Sequence, residues 1–368
     1  MVMVPKNITF FSSYFSLQPK SSTITPRMSA SSPSETQDFS VTLQEWQRWG
    51  PISPLPSKVV DIIKKLERLS LEDETLLQFG GMGGKLQGKL KAHEDKKHRA
   101  TYESLDASEE KLEFFSARQI ACRLVGSRGY LCQKCWLPQE KDCMCSKIRQ
   151  ITLSGKIRFW IYMHPKDFLR QNNTGKLLWQ VFGVHSATLC IFGISEMEEI
   201  MWNSFQISGK DRVYCLYPQK NLECVSVEND LRISFDPSRS TGVTDNENIN
   251  FILLDGTWSN SAAMMKRLKE KSKLIWGEEY MPCISLSTGA SSMHKLRPQP
   301  SLDRSCTAAA AVALLAELQM NPNCSKLGLE EQGEAVKEAL TVLLEALTRR
   351  RIRMGRSITR KMSRGLGF

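Results

Sequence analysis

The sequence lacks any apolar run of the roughly 20 residues that a membrane-spanning helix requires, so we expect no membrane partner. It also lacks an internal repeat, which argues against a solenoid or other repeat array. Hydrophobic residues nevertheless make up 41% of the 368 residues, enough for a sizeable core. The length suits one large domain or two ordinary ones.

The cysteines do not form the regular framework of a small secreted protein. There are eleven, an odd number, and most are scattered, so we expect a reducing compartment. The net charge of +11 comes from 50 basic and 39 acidic residues. This balance favours an anionic partner, with nucleic acid ahead of a membrane surface.

Both ends of the chain lack acidic side chains. Residues 1–34 contain no Asp or Glu and nine Ser, which suits either an organellar transit peptide or a disordered tail, with a boundary near residue 40. The expected compartment is cytoplasmic or nuclear, with the chloroplast as a possibility. The tail 349–368 carries eight basic residues and no acid. It is interpreted as an RNA-phosphate contact, with a nuclear address or a solvated helix end as alternatives.

The segment 41–117 is predicted to be partly helical and partly a linker. The stretch KVVDIIKKLERL places four apolar residues on one helical face: Val59, Ile62, Ile63 and Leu66. The following Gly- and Lys-rich stretch, 79–100, is interpreted as a flexible basic linker, and its 85–99 part as an RNA-touching arm. Its GGKL sequence is no phosphate-binding loop, because Ser or Thr would have to follow the lysine.

From residue 118 onward, apolar runs alternate with helical patterns, which predicts an α/β fold with a mostly parallel sheet. The predicted strands are 156–163, 187–192, 212–217, 250–254 and 282–286. The predicted helices are 166–180, 195–203, 259–271, 307–320 and 328–350.

The decapeptide FILLDGTWSN, residues 251–260, predicts a strand that is covered on both faces, because its apolar run shows no alternation. Asp255 would end this strand at the carboxyl edge of the sheet, where ligands bind in α/β proteins. The alternative is that Asp255 caps the helix that begins near Ser259, since Asp is a favoured N-cap.

A cysteine-rich element is predicted at 118–150, around the sequence CQKCWLPQEKDCMC. Four thiolates so close can enclose a metal, and zinc is the default for four sulfurs in a reducing cell. We expect a structural, knuckle-like zinc site; four free thiols or a redox pair are the alternatives. The predicted ligands are Cys132, Cys135, Cys143 and Cys145.

Two further segments carry chemistry. MHPKDFLRQNNTGKLL follows the first strand and combines a histidine, an acid and an arginine with an NTG turn, whose amides could hold an anion. Its candidate substrate-binding residues are His164, Asp167, Arg170, Asn173 and Thr174. Later, Arg297 precedes an Ala-rich helix that Ser305 or Thr307 would cap, and this helix N-terminus could also accept an anion.

Together these motifs resemble the DTW-domain family, the tRNA-uridine aminocarboxypropyltransferases. The resemblance covers about 118–320 and rests on CxxC…CxC, an HPxE-like motif followed by R..NTG, a YP pair, DxTW at Asp255–Trp258, and LRxQP before the capped helix. Two positions depart from the family pattern. Asp167 replaces a glutamate, and Ala309 stands where the helix usually has an acid.

The resemblance implies transfer of the 3-amino-3-carboxypropyl group from S-adenosylmethionine to N3 of a tRNA uridine, which forms acp3U and releases methylthioadenosine. It also implies a SPOUT-like fold, with a C-terminal knot, for a catalytic domain at 151–348. Asp255 is the candidate base, with Thr257 and Trp258 beside it. The residues expected to bind S-adenosylmethionine are Leu216, Tyr217, Pro218, Leu254, Arg297 and Thr307. The alternatives are a non-catalytic zinc-knuckle RNA-binding protein and an RNA methyltransferase.

Overall fold

The computed structural model describes residues 50–72, 79–80, 85–86, 88–127, 130–154, 157–217, 227, 248–277, 281–286, 305–322 and 324–356. All of them belong to one compact unit, Phe39–Phe368. The predicted leader 1–40, Pro218, Arg297 and residues 357–368 lie outside the described residues. Within the described ranges, no helix combines the length and the apolar character needed to cross a membrane.

The chain alternates strands and helices after an N-terminal helical part. The strands are β1 Phe79–Gly80, β2 Lys85–Leu86, β3 Ile157–Met163, β4 Ala187–Ile191, β5 Val213–Leu216, β6 Ile249–Asp255 and β7 Cys283–Ile284. The helices are α1 Ser57–Glu72, α2 Gly88–Ser104, α3 Ser108–Gly126, α4 Gln139–Asp142, α5 Lys176–Phe182, α6 Ser195–Ser208, α7 Trp258–Trp276, α8 Thr307–Met320 and α9 Leu329–Arg353.

Five strands form one parallel sheet in the order β4-β3-β6-β5-β7. They are the five strands that the sequence predicts, and the α/β fold with a parallel sheet is confirmed. β1 and β2 pair separately in an antiparallel ribbon. In the main sheet, β3 and β6 lie side by side along their full lengths, from Ile157 opposite Ile249 to Met163 opposite Asp255.

Helices cover both faces of this sheet, which explains the unbroken apolar runs. Along β3, Phe159 and Ile161 belong to one hydrophobic cluster, whereas Trp160 and Tyr162 belong to another. Buried side chains of α5, α8 and α9 join the first cluster. Those of α6 and α7 join the second. The sheet is therefore the middle of three layers.

The connections from the two central strands leave in opposite directions. β3 continues through α5 to β4 at one edge, whereas β6 continues through α7 to β7 at the other. A crevice opens at such a switch point, outside the carboxyl ends of the strands, and is the usual ligand site of an open α/β sheet. In this chain the switch point lies between His164 and Asp255.

The predicted helix 166–180 is wrong over its first ten residues, because turns and irregular backbone occupy the stretch before α5 begins at Lys176. Arg123 of α3 donates hydrogen bonds to the carbonyl oxygens of Phe168 (2.9 Å) and Lys166 (2.8 Å). Leu169 adopts a left-handed backbone with φ of 57°. A helix would need those carbonyls for its own ladder and cannot contain a left-handed residue.

Two basic segments are also more ordered than expected. Helix α2 begins at Gly88, inside the stretch that we interpreted as a flexible linker. At the other end, α9 continues to Arg353, past the predicted start of the tail. Arg350 is buried and donates to Asp142 at 2.8 Å, and Arg353 pairs with the same carboxylate at 2.6 Å. These two arginines therefore bind the cysteine-rich element.

A buried ionic network joins the sheet to both helices of the second cluster. Glu198 of α6 accepts hydrogen bonds from Tyr162 Oη at 2.6 Å and from the amide of Gly193 at 2.9 Å. Arg267 of α7 pairs with the same carboxylate at 2.7 Å. Burial and the neighbouring Glu198 charge raise the pKa of Tyr162, so its hydroxyl stays a donor at neutral pH.

Replacing Glu198 should strongly destabilise the fold. Glu198→Ala leaves Arg267 and Tyr162 buried without their shared acceptor, which typically costs about 3–5 kcal/mol. Urea unfolding measures the loss. The control is Glu334→Ala, which breaks an exposed pair with Lys337 and should cost less than about 1 kcal/mol. Equal losses in the two variants would contradict a stabilising role for the network.

Candidate functional site at the switch point

The Asp255 carboxylate lies at the carboxyl end of β6 and is largely buried, with the residue 7% exposed. Asn173 donates its side-chain amide to both carboxylate oxygens, at 3.0 and 2.9 Å. The Asn173 oxygen in turn accepts the amide hydrogen of Lys176 at 3.1 Å. One asparagine therefore ties the end of β6 to the start of α5.

The capping alternative for Asp255 is not what the structure contains. Helix α7 begins at Trp258, and Thr257 occupies its N-cap position. Thr257 accepts the amides of Asn260 and Ser261 on its carbonyl oxygen, each at 2.9 Å. Asp255 precedes this cap by two residues, and its carboxylate contacts Asn173 on another element.

Gly175 allows the carboxylate to approach α5 closely. A β-carbon at position 175 would lie 2.0 Å from Oδ2 of Asp255 and 2.9 Å from a methyl carbon of Ile161. The sequence NTG was predicted to hold an anion with its amides, and the anion beside Gly175 is the protein's own Asp255. Glycine is thus required here for space, since its φ of −58° is ordinary.

Helix α8 reaches the same edge of the sheet. The hydroxyl oxygen of Thr174 accepts the amide of Ala308 at 3.4 Å. The N-cap of α8 is Cys306, so neither Ser305 nor Thr307 holds the cap position that the sequence suggested. Thr307, half-buried, opens the helix beside Thr174, whereas Ala309 is buried in the core.

The His164 ring lies on the other face of the sheet from Asp255. Its backbone amide donates to the Asp255 carbonyl at 2.9 Å, but its ring stacks on Phe192 of the second cluster. Burial lowers the pKa of His164 to about 4, and the nearby cations Lys166 and Arg170 act in the same direction. The imidazole is therefore neutral at pH 7. Its Nδ1 accepts the amide of Lys166 at 3.2 Å, which places the proton on Nε2.

Asp167 and Arg170 form an ion pair on the turn after His164. The two side chains approach to 2.6 Å, with Asp167 buried and Arg170 41% exposed. The Oδ2 atom of Asp167 has no hydrogen-bond partner among the described residues. The arginine therefore presents a charged group to solvent next to the switch point, on a turn that Arg123 fixes.

The remaining predicted residues lie at the ends of β5 and β6. Those that are half-buried at this edge are Leu216, Tyr217, Leu254, Thr257 and Trp258. Leu216 and Leu253 are paired neighbours in β5 and β6, so the two strand ends are adjacent. Pro218 and Arg297, also expected to bind the donor, are outside the described residues.

The four predicted cysteines form one cluster, with all four sulfur atoms within 4.8 Å of one another. Cys132 and Cys145 are 3.6 Å apart at sulfur, and Cys135 and Cys143 are 3.8 Å apart. A tetrahedral zinc ion with Zn–S bonds of about 2.3 Å requires sulfur separations near 3.8 Å. The donor set and its spacing therefore fit zinc.

Sequence reasoning missed Lys176, which lies between this cluster and Asp255. Its side chain is fully buried, and Nζ donates to the carbonyl oxygens of Cys135 and Gln171. Burial lowers the pKa of Lys176 to about 7, whereas the neighbouring cysteines and Asp255 favour the charged form. A lysine within GKLL gives no sign in the sequence that it is buried.

A match to a protein-family model shows which family the chain belongs to. Residues 129–352 match the DTW domain, which is more than half of the chain, and the protein belongs to this family. The family includes tRNA-uridine aminocarboxypropyltransferases, and membership points to a tRNA-modifying transferase. No solved structure matches the chain.

Gly175→Ala should displace Asp255, since the new methyl group would overlap its carboxylate. We expect a loss of at least about 1–3 kcal/mol of unfolding free energy, measured in urea, together with reduced transferase activity. Gly333→Ala is the matched control. There the added carbon meets its nearest neighbours at 3.8 and 3.9 Å, so helix α9 should be unchanged or slightly stabilised. A neutral Gly175→Ala variant would contradict the close packing.

The chain should bind one zinc ion through the cysteine cluster. Elemental analysis of protein purified without added metal should give close to one zinc per chain, and Cys135→Ser should abolish it. Cys122→Ser, a change outside the cluster, should keep the metal. Stoichiometry near zero in the well-folded wild-type chain would refute the site.

Proposed function

We propose that the chain transfers the 3-amino-3-carboxypropyl group from S-adenosylmethionine to N3 of a tRNA uridine. The observation that carries this proposal is a buried carboxylate, Asp255, at the switch point of a DTW-family sheet. S-adenosylmethionine is a co-substrate in this reaction. The zinc ion has a structural role, because four cysteines leave no open coordination position for substrate.

The reaction requires a base, since uridine N3 carries a proton and is a poor nucleophile until that proton leaves. In the proposed step, Asp255 accepts the N3 proton while N3 attacks the γ-carbon of the donor. The bond between the γ-carbon and sulfur breaks, and its electrons neutralise the sulfonium. The products are acp3U, methylthioadenosine and a protonated Asp255.

The orientation of bound S-adenosylmethionine decides whether its γ-carbon or its methyl group meets the uridine. That orientation is set by the groups that hold the adenosine and the amino acid. We assign the adenosine to the edge formed by Leu216, Tyr217, Leu254 and the start of α8 at Thr307. Half-buried apolar walls and backbone amides suit a nucleoside there. Trp258 and Thr257 border this edge at the start of α7, and Pro218 and Arg297 stay predictions.

The tRNA is assigned to the side of the switch point that carries His164 and the Asp167–Arg170 pair. The neutral His164 offers an Nε2 hydrogen to a base carbonyl, and Arg170 offers an exposed cation to a phosphate or to the donor carboxylate. Asn173 contacts Asp255 and Thr174 contacts α8. Direct contact of these two side chains with the substrate stays a prediction. Exposed cations of α2 and the residues after Arg353 add phosphate contacts without base specificity.

A SPOUT-like knot belongs to the same proposal. It rests on the family resemblance, and residues 218–226, 228–247 and 287–304 lie outside the described residues. We propose a cytoplasmic or nuclear location; the acid-free segment 1–34 is the argument for the chloroplast as the alternative.

The test is mass spectrometry of nucleosides from tRNA incubated with the full chain and S-adenosylmethionine. An aminocarboxypropyl adduct on uridine supports the proposal. A methyl adduct would identify a methyltransferase on the same fold, and no adduct together with tRNA binding would identify a non-catalytic RNA-binding protein.

The role of Asp255 is tested by exchanging it with its partner. Asp255→Asn alone removes the base and places two side-chain amides, those of residues 255 and 173, against each other. Both turnover and stability should therefore fall. Adding Asn173→Asp restores a carboxylate–amide pair and should restore stability. Turnover should stay roughly 10²–10⁴-fold down, the usual weight of a general base. Recovery of turnover in the exchanged pair would show that Asp255 only positions its surroundings.

A further inference from the structure

Lys176 holds two segments together through one buried amino group. Its Nζ donates to the carbonyl oxygen of Cys135 at 2.5 Å and to that of Gln171 at 2.6 Å. It also lies 5.8 Å from the ring centroid of Trp136. Burying a polar group is costly unless it is hydrogen-bonded, so these contacts are what allow a lysine at this position.

The backbone amide of Lys176 is connected through Asn173 to Asp255, the proposed base. The Lys176 amide donates to Asn173, and Asn173 donates to both oxygens of Asp255. Hydrogen bonds at the two ends of the Lys176 side chain and backbone therefore connect Cys135, a predicted metal ligand, through Lys176 and Asn173 to Asp255.

We propose that Lys176 is a positioning residue that couples the four-cysteine metal site to the Asp255 carboxylate. With the metal bound, the turn from Cys132 to Leu137, here called the knuckle turn, is held closed and the Cys135 carbonyl is fixed. Lys176 transmits that fixed position to Gln171 and Asn173, which set the place of Asp255. The catalytic consequence rests on the function proposed above, whereas the coupling itself does not.

The closed turn carries a local backbone cost, which metal binding would offset. Trp136, directly after Cys135, adopts a left-handed backbone with φ of 57°, a conformation that costs free energy for a residue with a side chain. The Cys132 amide reaches across the turn to the Leu137 carbonyl at 2.8 Å. Coupling between two sites is reciprocal. A change that disrupts the contacts of Asp255 must therefore also weaken metal binding by the four cysteines.

The coupling can be measured without the transfer reaction. The full chain is loaded with Co²⁺, and loss of the cobalt–thiolate absorption to EDTA gives a release rate. Asn173→Ala and Lys176→Met should each speed release roughly tenfold, the usual weight of groups that support metal ligands. The double variant should release no faster than Lys176→Met, because both changes break one path.

Val181→Ala controls for general loosening of α5. Val181 is buried on the same helix, and its truncation should lower the melting temperature without changing release. The proposal is overturned if Val181→Ala speeds cobalt release as much as Lys176→Met does. It is also overturned if the rate increases caused by Asn173→Ala and Lys176→Met multiply in the double variant. Should Lys176→Met fail to fold, Asn173→Ala decides alone: an unchanged release rate contradicts the coupling.

The catalytic consequence has its own readout. In zinc-loaded protein, Lys176→Met should lower kcat roughly tenfold while KM for S-adenosylmethionine and the zinc content stay near wild type. Unchanged kcat would contradict the positioning of Asp255. If the wild-type chain forms no adduct, the proposed function fails, and the cobalt release rates still decide the coupling.

Discussion

The amide of Asn173 is the contact on which the switch point depends. It satisfies a buried carboxylate at the end of one central strand and the first amide of the helix that follows the other central strand. Without it, Asp255 would be buried against the α-carbon of Gly175 without this donor, and α5 would lose the acceptor at its first turn. A buried polar group that loses its partner costs more than the hydrogen bond contributes, so strand end and helix start are positioned together.

The same rule governs the other buried charges. Glu198 is matched by Arg267 and Tyr162 between the sheet and α7, and Asp142 is matched by Arg350 and Arg353 between the cysteine-rich element and α9. Each network lies where two layers or segments meet. Apolar packing holds these layers together, and a fully satisfied buried polar network rigidifies their contact and specifies one arrangement. The geometry of the site thus depends on polar contacts well away from it.

The five strands could be predicted because a strand buried on both faces leaves a continuous apolar run in the sequence. Asp255 could be placed because such a run has a visible end. Its partner could not, since Asn173 is 82 residues away and nothing local distinguishes it from a turn residue. Lys176 was missed for the same reason: its acceptor on Cys135 lies 41 residues earlier. The false start of helix 166–180 also has a distant cause, because Arg123 takes the carbonyls that the helix would have used.

The ion pair between Asp142 and Arg350 has a consequence for folding during translation. The two residues are 208 positions apart, and the arginine lies near the C-terminal end of α9. At about 5–20 residues per second, a ribosome needs roughly 10–40 s to deliver that arginine after the aspartate has emerged. During this interval the cysteine-rich element can gather its four sulfurs, which are close in sequence, but its acid lacks a counter-ion. Synthesis therefore orders the events: the nascent chain can capture the metal early, and the Asp142–Arg350 ion pair forms only after α9 has been synthesised.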